Sequence, residues 1–397
     1  MPASGRLYVI AGAGIAGMTL ALALAKFGVS IVVLERHASL QEFGAGLQIS
    51  PNARHVLNGL GLDATLSAVS HEPDALDTYP QGSTEPLVSL ELGALMRQRF
   101  GAPYAVMHRA DLANVLYKAC RRFANIDILF GVRNWDVASH ANGVTVAIDE
   151  AKGLSRTTRA NGFIGADGVH SQTRQALLDG PQARFGRRIA WRTLIDIDKT
   201  RGLIAPNHVS VFFGSGFHLV CYPLPHRRQI NLALFMPGAA PDAGKLQPDP
   251  AHPGPKVTEI LGLAGASWVP WPLFTVDAPN WSAGNVGLVG DAAHAMVPFQ
   301  AQGAAMGIED AAVLAPLLAG ADTAEAGFRH YAAARQARVR RVAALSARNG
   351  RIFHMQWPAS LARDTVMRMQ GPHGHLKRLG WIYGYKANAL PPLVKDV

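Results

Sequence analysis

Apolar residues fall along the chain in short runs of strand character, separated by glycine-rich turns and by longer stretches of helical character. The first run, Leu7-Tyr8-Val9-Ile10-Ala11, passes directly into Gly12-Ala13-Gly14-Ile15-Ala16-Gly17. A helical stretch from Met18 to Phe27 follows, and a second apolar run from Ile31 to Leu34 ends at Glu35. Strand, glycine turn, helix, strand and terminal acid, in that order, are the fingerprint of a dinucleotide-binding βαβ unit. Gly12 permits the tight turn, Gly14 lets a pyrophosphate approach the backbone, and Gly17 lets the helix lie close to the strand. The helix N-terminus offers free N–H groups to phosphate, with Ala16 inside that first turn. Glu35, at the tip of the second strand, is placed to accept from ribose hydroxyls. This unit alone does not separate NAD from FAD.

Two later stretches repeat the change from strand to turn. One ends in Gly165-Ala166-Asp167-Gly168 and resumes as a helix, with Ser171 as its cap and Arg174 in its first turns. The other runs from Asn285 into Gly290-Asp291, passes His294 and Pro298, and enters a long helix near Gly303 and Ala304 that reaches about Leu318. Between these lie alternating runs over Val209–Phe213, Phe217–Tyr222 and Gln229–Phe235, which predict an antiparallel sheet. His218 and Tyr222 stand four apart in one such run and therefore share a face. The fold class expected is α/β: a Rossmann-like βαβ domain with a mixed sheet, interleaved with an antiparallel-sheet substrate domain, and C-terminal helices. The expected division assigns 1–71, 104–180 and 281–345 to the dinucleotide domain, 72–103 and 181–280 to the substrate domain, and 346–397 to a helical segment.

Composition narrows the class. The chain has 397 residues, 49% of them hydrophobic and only 17% charged, enough to bury a large core. The net charge of +10 suits anionic cofactors and carboxylate substrates. No aromatic-interleaved basic motif accompanies it, so nucleic acid is not an expected partner. Arg335, Arg338, Arg340, Arg341, Arg348 and Arg351 read as the solvated face of a helix, because Ala and Val occupy intervening positions. Two cysteines, Cys120 and Cys221, make no disulfide framework or metal spacing, which fits a cytoplasmic protein without a metal. The uncharged stretch Leu7 to Ala25 imitates a membrane segment in composition, but the glycine fingerprint accounts for it. No membrane association is expected.

The glycine fingerprint, His108-Arg109-Ala110-Asp111-Leu112, the Asp167-Gly168 turn and the Gly290-Asp291 turn follow one another as they do in a known family. Through them the chain resembles the class A flavoprotein aromatic hydroxylases, especially the salicylate, 3-hydroxybenzoate and 6-hydroxynicotinate hydroxylase group. The resemblance spans nearly the whole chain. It implies an FAD-dependent monooxygenase that uses NAD(P)H as transient co-substrate, and O2, to hydroxylate a small aromatic acid through a flavin C4a-hydroperoxide.

By that resemblance Asp291 holds the ribityl chain, and the backbone at Gly303 and Ala304 meets the isoalloxazine. Arg109 reaches the pyrophosphate, Gln48 lies in a loop against the flavin, and Arg36 flanks the adenosine. The strand ending near Asn134 contacts the adenine side, and Asp167 and Arg174 stand where FAD phosphate and the visiting nicotinamide nucleotide meet. His218, in a His-x-x-x-Tyr-Pro context with Tyr222, lines the substrate site and is suited to take a phenolic proton. Pro298 corresponds to the family proline whose carbonyl faces the substrate ring. The chain departs from the hydroxynicotinate enzymes at Phe299 and Gln48, where they carry histidines, which leaves this pocket less basic. Salicylate- or hydroxybenzoate-like acids therefore remain alongside hydroxypyridine carboxylates, and the oligomer expected is a monomer or homodimer. A halogenase or epoxidase on the same fold is the first alternative, although Trp268-Val-Pro-Trp271-Pro-Leu lacks the halogenase signature. A non-catalytic flavin-binding module is the second.

Overall fold

The computed structural model describes residues 5–40, 45–150, 155–239 and 247–387. A six-stranded sheet is built outward from Leu7–Ala11. That strand pairs in parallel with Ser30–Glu35 on one side and with Gly162–Gly165 on the other. Ile126–Phe130 extends the first side in parallel, and Val286–Leu288 extends the second. Ser282–Ala283 closes the far edge in antiparallel pairing, so the sheet is mixed. Strands covered on both faces need continuous apolar runs, and Tyr8 to Ala11 are all buried.

The helix Ile15–Ala25 is buried along its length except at Ala16. It packs against the helix Gly303–Gly320, whose apolar 18-residue window is 67% buried within the fold. A helix that is apolar all round belongs in a core or a membrane, and this burial makes both of them core helices. A three-stranded sheet of Val132–His140, Gly143–Glu150 and Ser155–Ala160 stands beside the main one.

The second large sheet has seven strands. Ala75–Tyr79 and Val88–Glu91 join Arg184–Asp196, His208–Phe213, His218–Leu224, Gln229–Pro237 and Val269–Thr275, so two distant segments of chain share one sheet. The sequence pattern points to an antiparallel sheet, and all pairs of this sheet but one are antiparallel. In the remaining pair His208–Phe213 runs parallel to Ala75–Tyr79, because the latter enters from the earlier segment rather than by a hairpin.

The C-terminal region differs from expectation in two respects. The helix Ala324–Phe353 runs unbroken through position 346, where the division into segments places a boundary. Of the six arginines expected on a solvated face, Arg340, Arg341, Arg348 and Arg351 are exposed, but Arg335 and Arg338 are not. Arg335 is fully buried, with Nη1 2.5 Å from Glu309 Oε2 and Nε 2.9 Å from Asp310 Oδ1. Arg338 bonds the same Glu309 at 2.7 Å and lies 3.6 Å from the Tyr385 ring centroid, while Arg341 lies 3.9 Å from that of Trp381. The acids that claim Arg335 and Arg338 sit on another helix, out of reach of any periodicity argument. Positions 388–397 lie outside the described residues.

Candidate active site

Two glycine turns face one another across the end of the six-stranded sheet. Gly12 adopts φ +107°, and its N–H donates to the Leu34 carbonyl at 2.7 Å. A Cβ there would stand 2.4 Å from the Ala166 carbonyl oxygen, so only glycine fits. A Cβ on Gly17 would meet the Gly12 carbonyl oxygen at 2.0 Å, which is the close approach of helix to turn. At Gly14, by contrast, a Cβ would meet nothing within 4 Å. Gly14 is the cap of the helix Ile15–Ala25 and has no side chain to satisfy its first N–H groups, which open into the cavity. Ala16 lines the same cavity and packs against Gly290 and Gly307.

In the second turn, Gly290 at φ +60° donates its N–H to Asp310 Oδ2 at 3.0 Å. The same carboxylate oxygen lies 2.6 Å from His294 Nε2. Burial acts to raise the Asp310 pKa, yet His294 and Arg335 hold its carboxyl well below the usual range. His294 is thus a bracing residue for this turn. Asp291, next to Gly290, is exposed to the cavity and makes no side-chain hydrogen bond among the described residues. Gly303 and Ala304 open the core helix toward the same space, again without a side-chain cap. Their approach is fixed by a buried polar cluster. Gln302 Nε2 donates to Ser50 Oγ at 2.8 Å, and Asn52 Nδ2 donates to Gln302 Oε1 at 3.0 Å and to Glu309 Oε1 at 2.7 Å.

The cavity between these turns and the seven-stranded sheet measures about 1520 Å³. Small-molecule pockets are commonly ~300–1,000 Å³, so this one has room for a dinucleotide and a second ligand. The sheet presents alternate residues of adjacent strands to it: Arg192, Ala233 and Phe235, His218, Val220 and Tyr222, Val209 and Val211. This face is apolar except at Arg192, His218 and Tyr222. The Arg192 Nε is buried and unpaired among the described residues, and burial lowers the pKa of the guanidinium. Burial pushes the Tyr222 phenol up, with the Arg192 charge acting in the other direction. His218 is enclosed by aromatic rings: Phe235 is stacked at 4.6 Å between centroids, and Phe299 and Phe353 present edges at 5.2 and 5.3 Å. Its Nδ1 lies 2.7 Å from His354 Nε2, and His354 Nδ1 lies 2.5 Å from Arg188 Nη1. Arg192, His354, Arg188 and Tyr104 escaped the sequence reading. None of them belongs to a motif that would mark it.

The other candidates divide into those that reach the cavity and those that do not. Gln48 lines it, and its Oε1 accepts from the Tyr104 hydroxyl. The exposed Arg109 lines it too, at the start of a helix capped by His108 Nδ1. Pro298 lines it, but its carbonyl accepts from the Ala301 N–H at 3.0 Å and so serves a turn.

Glu35 lies at its strand end as expected. Its carboxylate accepts from the Ala13 N–H at 3.1 Å and the His37 N–H at 3.0 Å, bracing the first turn, with Arg36 exposed beside it. Asp167 does not face the cavity. It accepts from the Ser171 hydroxyl at 2.6 Å and the Thr173 N–H at 2.9 Å, which makes it part of a helix cap. Arg174 is wholly buried and donates to the carbonyls of Pro181, Ala292 and Val169, so it ties chain segments together rather than meeting phosphate. Asn134 is exposed within the strand Val132–His140 and lies apart from the cavity lining. The strand that does end beside Glu35 is Ile126–Phe130.

A family model described as FAD binding domain matches residues 8–194 and 266–347. The chain is 32% identical over 385 residues to 3-hydroxybenzoate 6-hydroxylase 1 of Aquipseudomonas alcaligenes, covering 95% of this chain and 97% of that one. It is 33% identical over 395 residues to the 3-amino-4-hydroxybenzoate 2-monooxygenase PtmB3 of Streptomyces platensis, covering 96% of each. Among solved structures, Klebsiella pneumoniae HpxO complexed with FAD and uric acid superposes with a TM-score of 0.82 over 97% of each chain, at 22% identity. That last likeness concerns the fold.

Proposed function

The chain belongs to the FAD-binding-domain family of flavoprotein aromatic hydroxylases, and from that premise we infer an FAD-dependent monooxygenase that hydroxylates a small aromatic acid. NAD(P)H supplies the electrons and O2 the oxygen: one oxygen atom enters the ring and the other leaves as water. The observation that carries this reading is the single cavity into which two uncapped helix N-termini and the His218–Tyr222–Arg192 face of the sheet all open.

The residues present fit FAD. The open space over Gly14 and the free N–H groups of the helix Ile15–Ala25 suit the pyrophosphate, with Arg109 as a counter-charge. Asp291 is free to accept from a polyol, and the helix start at Gly303 and Ala304 offers positive potential to an electron-rich ring edge. Bound there, FAD supplies the activation of O2 that side chains cannot provide. Glu35 and Arg36 fit the adenosine end. We assign the division of labour accordingly, with the segments carrying the six-stranded sheet holding the cofactor and those carrying the seven-stranded sheet the substrate.

The chain's own residues then act on the acid. Arg192 brings into an apolar wall a guanidinium whose buried Nε has no partner among the described residues, and such a group binds a carboxylate in paired geometry. Tyr222 and His218, two strands away across Gln229–Pro237, address polar substituents of the ring. Phe235, Phe299 and Phe353 keep water from the reacting carbon. A mono-hydroxybenzoate, with or without an amino group, matches this set: one anion, one ring oxygen, otherwise apolar surface.

The test is NADH and NADPH oxidation by the purified holoenzyme with a panel of hydroxybenzoates, aminohydroxybenzoates and hydroxypyridine carboxylates, with product analysis by mass. A compound that accelerates oxidation and gains one oxygen atom identifies the substrate. A protein that neither retains FAD nor oxidises either nucleotide sinks the reading.

A further inference from the structure

His218 belongs to a hydrogen-bonded row whose polarity is fixed at its far end. Arg188, on the strand Arg184–Asp196, places Nη1 2.5 Å from Nδ1 of His354. A guanidinium has only donors, so His354 Nδ1 must be an acceptor and carries no proton. A neutral His354 then holds its proton on Nε2, and that nitrogen stands 2.7 Å from His218 Nδ1. His218 Nδ1 must accept in turn, which leaves the His218 proton on Nε2. This Nε2 makes no hydrogen bond among the described residues, and His218 lines the cavity.

Both rings are well suited to stay neutral. Burial, followed by the Arg188 charge, lowers His354 to about 3, and burial with His354 and Arg188 holds His218 well below its usual value. The stacked Phe235 ring and the edges of Phe299 and Phe353 supply no carboxylate to either imidazole.

We propose that Arg188, acting through His354, holds His218 as the Nε2–H tautomer, so that His218 donates a hydrogen bond to the ring oxygen of the substrate. This reverses the role that a cavity histidine suggests from sequence. The phenolic proton passes to solvent, and His218 stabilises the oxyanion that remains, which activates the ring toward an electrophilic oxygen. A row ending in an acid would put the proton on Nδ1 of each ring and leave the His218 Nε2 as a base. Arg188 and His354 are positioning residues in this scheme. The donation to a ring oxygen rests on the aromatic-acid reading above; the tautomer itself does not.

The test separates the two. In 15N-histidine-labelled holoenzyme, the signal lost in a His218→Gln variant reports which His218 nitrogen is protonated. The expected wild-type state is a single Nε2–H tautomer. Arg188→Met, which removes the donor, should convert it to a mixture, and Arg188→Lys, which restores one, should recover it.

The second readout uses a nitro-substituted hydroxybenzoate whose phenolate absorbs visibly. Wild-type holoenzyme should bind it mainly as phenolate, with the ratio of bound phenolate to bound phenol about tenfold lower in Arg188→Met, as expected for losing a hydrogen bond to a charged group. A wild-type His218 unprotonated at Nε2, or a Met variant that keeps the single tautomer, overturns the proposal. If the probe does not bind while the tautomer behaves as expected, the relay stands and the aromatic-acid reading fails.

Discussion

The Asp310 carboxylate lies 3.0 Å from the Gly290 backbone N–H, so a residue of the long core helix holds the turn that presents Asp291 to the cavity. The same carboxylate binds His294 at 2.6 Å and Arg335 at 2.9 Å, and none of these side chains is more than marginally exposed. Buried charges of this kind are tolerable only while every partner is present. Asp310→Asn preserves shape but leaves Arg335 and His294 under-compensated, and the expected loss is ~3–5 kcal/mol of stability in denaturant titration.

The sign of its pH dependence also follows. Asp310 has its pKa depressed on folding, so its contribution is complete above the usual carboxylate range and is lost as pH falls toward the folded value. The stability gap between wild type and the Asn variant should therefore be constant near neutrality and shrink on acidification. A gap that widens in acid would contradict this account of the turn.

The two glycines of the first turn separate folding from cofactor binding. A Cβ on Gly12 collides with backbone at 2.4 Å and must sit at φ +107°, whereas a Cβ on Gly14 enters open space. Gly12→Ala should lower the thermal midpoint of apoprotein and holoprotein alike. Gly14→Val should leave the apoprotein midpoint nearly unchanged and weaken FAD retention, read by flavin fluorescence on dilution. Equal behaviour of the two variants would remove the pyrophosphate from over Gly14.

Much of the cofactor half was legible because its signals are local. A strand, a glycine turn and a helix start lie within a dozen residues, and their geometry follows from which positions lack a Cβ. Asp167 shows the limit of that reading. A strand followed by Ala-Asp-Gly looks like a ligand-binding turn, yet the acid is used within seven residues to cap the next helix. Arg335 shows another. Alanines around it imitate a solvent face, but Glu309 and Asp310 draw it inward from a different helix. The row from His218 to Arg188 joins residues far apart in sequence with no shared period, so only the packed fold reveals it.

The aromatic enclosure of His218 predicts a coupling defect. Phe299 stands edge-on to His218 at 5.2 Å and to Phe235 at 5.6 Å, filling the space beside the proposed ring site. Phe299→Ala should admit water where activated oxygen must be kept dry. NAD(P)H oxidation is expected to persist while hydroxylated product per nucleotide oxidised falls and H2O2 rises. A buried Phe→Ala change typically costs ~3–5 kcal/mol, so the assay belongs well below the variant's melting temperature. Unchanged coupling in a folded variant would show that the ring lies elsewhere in the cavity.

The sharpest test of how the cavity chooses its substrate lies at Arg192. This guanidinium enters an apolar sheet face from the strand Arg184–Asp196, opposite Ala233, with its Nε buried and unpaired. Leaving a buried cation without a partner is costly, and a bound carboxylate would relieve that cost. Removing a hydrogen bond to a charged group typically loses ~1.5–3 kcal/mol, or roughly ten- to a hundredfold in affinity. Arg192→Met should therefore raise the Kd for the aromatic acid by about that factor. Binding of the corresponding phenol without a carboxylate should change little or improve, because the pocket no longer holds an unpaired charge. Lys should restore only part of the affinity, since an ammonium cannot match both carboxylate oxygens at once. The measurement is a flavin-absorbance titration of each holoenzyme with the acid and with its carboxylate-free counterpart. If the Met variant weakens both ligands equally, Arg192 supports the sheet rather than the substrate, and the carboxylate must be sought at another cation of the cavity wall.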